Sequence, residues 1–66
     1  MKIRLNGTVR DIAESMTLDA LVTDLELNRD VIAVELNKDV IRRAAYAEKR
    51  LAPGDEIEIV TLVGGG

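Results

Sequence analysis

Sixty-six residues with a formal charge of −3 are enough for one domain and too few for two. The absence of cysteine and histidine removes disulfides, thiolate nucleophiles, the usual zinc sites and the commonest general base, so little side-chain catalytic chemistry remains. Tyr46 is the only aromatic residue, and without a basic excess the chain has neither the charge footprint nor the stacking platform of a nucleic-acid binder.

The start, "MKIRLNGTVRDI", has no long apolar run behind its charge, which argues against a signal peptide or a membrane span and leads to the expectation of a soluble cytoplasmic protein. It reads as a β-hairpin. Ile3 and Leu5 alternate with Lys2 and Arg4, Asn6-Gly7 is the strongest short turn signal there is, and Val9 begins the return strand. In "SMTLDALVTDLEL" the apolar positions Leu18, Leu21, Val22 and Leu25 follow the i, i+3, i+4, i+7 spacing of a helix with one buried stripe. Thr17 is its natural N-cap, Met16 a staple against Leu21, and Asp19 suits the positive end of the helix dipole.

The period then changes to two. "DVIAVELN" places Ile32, Val34 and Leu36 on one face and Ala33 and Glu35 on the other, a third strand. Asn37-Lys38-Asp39 turns into a short Val40-Ile41 strand, and "RRAAYAEKR" suits about one or two helical turns. Pro53-Gly54 makes a turn, and the last strand runs from Glu56 to about Leu62. The expected fold is α+β: a mixed four- to five-stranded sheet over residues 1–62, with one amphipathic helix across one face and a short helical turn before the last strand. Lys2 and Arg4 on the first strand and Glu56 and Glu58 on the last carry opposite charges. Pairing the first strand beside the last satisfies both sets.

Two patterns imitate chemistry. Asp24, Glu26, Asn28, Asp30 and Glu35 fall at the acidic positions of a calcium loop, but Arg29 stands where the sharp turn needs glycine, so a solvated acidic loop is the better reading. Glu56 and Glu58 share a strand face at a separation of about 6.7 Å in rise, yet an open sheet face has nothing to split their acidities into an acid and a base. No metal site and no catalytic residue are expected. Arg42 and Arg43 read as solvated protection of a short edge strand.

The alternation of "EIEIVTLVGGG" puts Ile57, Ile59 and Thr61 toward the core, leaving Glu56, Glu58, Val60 and Leu62 on the open face. Val60 and Leu62 therefore mark a docking surface at the root of a flexible tail, residues 63–66, unless a loop covers them. Gly64, Gly65 and Gly66 have no Cβ, so they can enter a channel too narrow for other residues, and together they reach about 10 Å. A carboxylate delivered this way is a poor electrophile, but joined to AMP it gains a good leaving group that a sulfur nucleophile can displace.

The "IRLNG" start, the "TLDALVTDL" helix, "VIAVELNKDVIRR", "LAPGDEIEIV" and the "VGGG" end, in this order and over essentially the whole chain, resemble the ubiquitin-like β-grasp proteins. Among them the chain is most similar to the ThiS family, the small sulfur carriers of thiamine thiazole biosynthesis. The resemblance implies a carrier and not an enzyme. Its C-terminal glycine, here Gly66, would be adenylated and converted to a thiocarboxylate. Val63, Gly64 and Gly65 would accompany Gly66 into the partner, with Leu62 and Val60 on the binding face. The implied partners are an ATP-dependent, E1-like activating enzyme, a thiazole synthase and a sulfur donor protein. No bound cofactor is expected, ATP being used by the activating enzyme, and the free carrier is expected to be a monomer. The sulfur carrier of molybdopterin synthesis is the neighbouring alternative, although "IVTLVGGG" lacks the aromatic and proline residues expected there. A protein modifier or a non-covalent binding module is the alternative from another class.

Overall fold

A computed structural model of the chain describes residues 1–62. The chain forms β1 (Lys2–Leu5), β2 (Thr8–Asp11), α1 (Leu18–Asp24), a 3-10 turn at Arg29–Val31, β3 (Ile32–Leu36), β4 (Asp39–Ile41), a second 3-10 segment at Arg43–Glu48, and β5 (Glu56–Thr61). The five strands make one sheet in the order β2-β1-β5-β3-β4. β5 is central. It runs parallel to β1, with Arg4 beside Glu56 and Leu5 beside Ile57, and antiparallel to β3 from Ile32–Thr61 to Leu36–Ile57. The hairpin and crossover read from the sequence are both present, and Asn6 and Gly7 both have positive φ, as a tight two-residue hairpin turn requires.

α1 starts where expected. The Thr17 hydroxyl oxygen accepts a hydrogen bond from the Ala20 N–H at 3.0 Å, one of the donors that a helix start leaves without a partner. Its end is set by a Schellman motif. The Leu27 N–H donates to the Val22 carbonyl and the Glu26 N–H to the Thr23 carbonyl, while Glu26 takes φ 57 at the position where glycine is usual. Leu25 is therefore the C-cap and not an interior residue, although its side chain still packs on the core.

The core lies between α1 and one face of the sheet. Leu18, Leu21 and Val22 are fully buried against Ile3, Val34 and Ile57, closed at one side by Tyr46 from the second 3-10 segment. Burial leaves the Tyr46 phenol above the usual tyrosine range. The Arg29 guanidinium ties the first 3-10 turn to α1, donating to the Asp19 carboxylate and carbonyl and to the Thr23 hydroxyl. The chain enters β5 through a β-turn in which the Asp55 N–H donates to the Ala52 carbonyl and Gly54 takes φ 85, as expected for Pro53-Gly54.

Four expectations need correction. Lys2 forms its ion pair with Asp11 on β2, its register partner, at 3.6 Å, so the basic strand does not pair wholesale with the acidic one. Glu58 faces Glu35 across β3 and β5, a like-charge pair. Arg43 is not a free edge charge, because its guanidinium donates to Asp30 and joins the two 3-10 segments. Thr61 lies opposite buried Ile32 yet is itself exposed. A helix of seven residues spans about 10 Å and a strand of six about 20 Å, so helical cover ends before β5 does.

Candidate functional site

Among the described residues, the face of the sheet away from α1 has no covering element. Alternation along each strand determines what it presents, and the register determines what lies side by side. Val9 stands opposite Arg4, Arg4 beside Glu56, Glu58 opposite Glu35, Val60 opposite Ala33, and Val40 on the far edge opposite Glu35. Glu35, Lys38, Glu56, Glu58 and Val60 line a shallow depression on this face. Its floor is acidic at the start of β5 and becomes apolar toward the end. Val60 and Leu62 are 53% and 52% exposed, so among the described residues no loop covers them. The Leu62 N–H donates to the Val31 carbonyl at 2.6 Å, which keeps the strand pairing going to the last described residue.

Val63, Gly64, Gly65 and Gly66, read from the sequence as the tail that carries the reacting carboxylate, lie outside the described residues. The residues of the imitated calcium loop are engaged elsewhere. The Asn28 side chain accepts from the Asp30 N–H as the cap of the first 3-10 turn, Asp30 accepts from Arg43, Asp24 ends α1 and Glu35 belongs to β3. Among the described residues no group of acidic side chains is arranged to hold a metal ion, and no helix is long and apolar enough to cross a membrane.

Two asparagines that the sequence reading took only as turn residues also shape this site. Asn6 and Asn37 both sit at φ 50, and both turn their side-chain amides onto β5. Asn6 Nδ2 donates to the Ile59 carbonyl at 3.2 Å, and its Oδ1 accepts from the Ile59 N–H at 2.8 Å. Asn37 Oδ1 accepts from the Glu56 N–H at 2.9 Å, and its Nδ2 donates to Asp55 Oδ1 at 3.1 Å. An asparagine next to glycine signals a turn, whereas a bond across 53 residues leaves no local trace in a sequence.

A central parallel pair flanked by two antiparallel hairpin strands, with one helix packed across a single face, defines a β-grasp domain of the ubiquitin-like kind. Solved structures agree. A crystal structure of the thiamine biosynthesis protein ThiS from Geobacter metallireducens superposes with a TM-score of 0.86 at 30% identity, each chain covered completely. A solution structure of a thiamine biosynthesis protein from the same organism gives 0.82 at 32% identity, covering 100% of this chain and 88% of that one. The ThiS family model matches residues 3–66, and the chain belongs to the ThiS family. Members of this family are small sulfur carriers of thiamine biosynthesis and not catalysts. Two curated relatives named thiazole synthase, from Paramagnetospirillum magneticum and Magnetococcus marinus, are 38% and 39% identical over the whole chain, which spans only 20% of the length of each.

Proposed function

We propose that the chain carries sulfur as a thiocarboxylate on Gly66 and delivers it for assembly of the thiamine thiazole. The observation that carries this reading is the family match, which continues through the glycines to Gly66. An E1-like activating enzyme joins the Gly66 carboxylate to AMP from ATP and releases pyrophosphate. Hydrosulfide-level sulfur, supplied through a donor protein, then attacks the carbonyl. The carbon–sulfur bond forms, AMP leaves with the original carboxylate oxygen, and a proton is lost to solvent. One oxygen has been exchanged for one sulfur. The folded body contributes a grip, with the Val60 and Leu62 face docking on the partner and Gly64 and Gly65 passing where a Cβ would not fit.

A thiazole synthase is the acceptor in this reading. Relatives carrying that name match this chain over a fifth of their own length, so a segment similar to the carrier occurs within the same polypeptide as the rest of each relative. Linking donor to acceptor raises their effective concentration, an arrangement that suits proteins that must meet at every turnover.

The test is intact-mass analysis after incubation with ATP, an activating enzyme and a sulfur source. The full chain is expected to gain about 16 Da, whereas a chain lacking Gly66, its carboxylate withdrawn by about 3.5 Å, folds and gains nothing. Equal modification of both chains, or added mass on an internal side chain, overturns the reading.

A further inference from the structure

We infer that Asn6 is a positioning residue for the partner-facing end of β5, an inference that rests on the carrier reading above. The parallel ladder between β1 and β5 runs through the Arg4 N–H to the Asp55 carbonyl and the Asn6 N–H to the Ile57 carbonyl. If it continued, the Ile59 N–H would donate to the Asn6 backbone carbonyl, and the Ile59 carbonyl would accept from the N–H of residue 8. The chain cannot supply that rung, because Asn6-Gly7 has already turned it away into β2. The Asn6 side chain supplies it. Its amide presents one acceptor and one donor in the geometry of a peptide group, and both reach Ile59.

Beyond Ile59 nothing on the β1 side holds the strand among the described residues. Val60, Thr61 and Leu62 are tied on the β3 side alone, through the register to Ile32 and Ala33 and the Leu62 bond to Val31. Asn6 is thus the last point of fixation on that side before the exposed apolar pair. Without it the root of the tail would have to be ordered by the partner at each encounter, and the conformational entropy of that ordering would weaken binding.

Asn37 provides the internal control. It also sits at φ 50 and also makes two side-chain bonds to the segment leading into β5, but at Asp55 and Glu56, the end remote from Leu62. Glycine tolerates positive φ at either site, so Asn6→Gly and Asn37→Gly remove similar hydrogen bonds without backbone strain. If asparagine serves only stability, the two variants behave alike. If Asn6 positions the tail root, only Asn6→Gly raises KM for the carrier in the activation reaction, by about tenfold with kcat within about twofold. Amide exchange at Leu62, whose N–H is held by the Val31 carbonyl on the β3 side, measured on the isolated protein, should rise at least about tenfold more in Asn6→Gly than in Asn37→Gly.

Asn6→Asp is the second variant should Asn6→Gly fail to fold. Its carboxylate keeps the acceptor for Ile59 and loses the donor, and protonation restores a donor. The order of residues 60–62, read by relaxation, should recover as pH falls through about 4. Matching KM and exchange in the two glycine variants, or an Asn6→Asp chain whose strand end stays equally ordered at neutral and acid pH, overturns the inference. If the wild-type chain gains no sulfur, the carrier reading fails, and exchange and relaxation alone then decide the role of Asn6.

Discussion

Glu26 holds a helix terminus in a conformation that its side chain disfavours. An L-residue in the left-handed region costs about 1–2 kcal/mol, and glycine there forfeits part of the gain through unfolded-state entropy. Glu26→Gly keeps both Schellman bonds and is expected to stabilise the fold by about 0.5–1 kcal/mol, read as a higher urea midpoint at unchanged m. Asp11 responds to pH instead. The Met1 ammonium that hydrogen-bonds to it, with Lys2 beside it, holds its carboxyl below the usual range. A depressed carboxyl contributes stability above its unfolded pKa, about 3.9, and that contribution disappears as pH falls through the lower folded value. Asp11→Asn should therefore flatten the acid limb of the stability curve below about pH 4 and change its slope little above pH 5. A wild-type acid limb that survives the substitution unchanged would assign it to other carboxylates.

At the scale of elements, β3 and β5 pair although their open face sets Glu35 against Glu58, a contact that disfavours the sheet. Glu58→Gln relieves it and should raise Tm by about 1–7 °C, corresponding to about 0.2–1 kcal/mol for a domain of this size. A fall in Tm would mean that Lys38, which lines the same depression, neutralises the pair. This contact was not legible in the sequence, and the reason is general. Alternation in "EIEIV" and "VIAVELN" placed each carboxylate on the open face, and helical spacing gave Leu18, Leu21 and Val22 as the buried stripe, because both periods are local. Register is not local. Opposite charge pointed correctly to β1 beside β5, yet it misassigned Lys2, whose actual partner, Asp11, follows from the count of residues around Asn6-Gly7. The helix end was displaced for a different reason, since a Schellman motif built on Glu26 lacks the glycine that announces one. The exposed pair Val60 and Leu62 was legible from alternation alone, but the asparagine that fixes the strand beneath them was not.

For the molecule as a whole, one face of the sheet holds the fold together and the other, in the function proposed above, meets the partner, so the two sets of residues should be separable by experiment. Leu21 has no exposed surface, and Leu21→Ala leaves a cavity between helix and sheet that should cost about 2–5 kcal/mol. A domain this small has little stability to lose, so this variant should be partly unfolded at the temperature of the activation assay. Val60→Lys and Leu62→Lys change side chains that are already half in water. Each should alter stability by no more than about 0.5 kcal/mol, and at Val60 the new ammonium joins the depression lined by Glu35 and Glu58, which opposes any loss. Binding should respond in the opposite order. An apolar contact at the root of the tail is desolvated when the partner docks, and a lysine there must be stripped of water or displaced, so KM for the carrier should rise at least about tenfold while saturating carrier restores the mass gain. The Leu21→Ala chain should instead lose activity in proportion to its unfolded fraction and recover it on cooling to a temperature at which it is folded. If Val60→Lys or Leu62→Lys unfolds the protein as Leu21→Ala does, these residues belong to the core. If both variants fold and are activated with unchanged KM, the partner grips the molecule elsewhere.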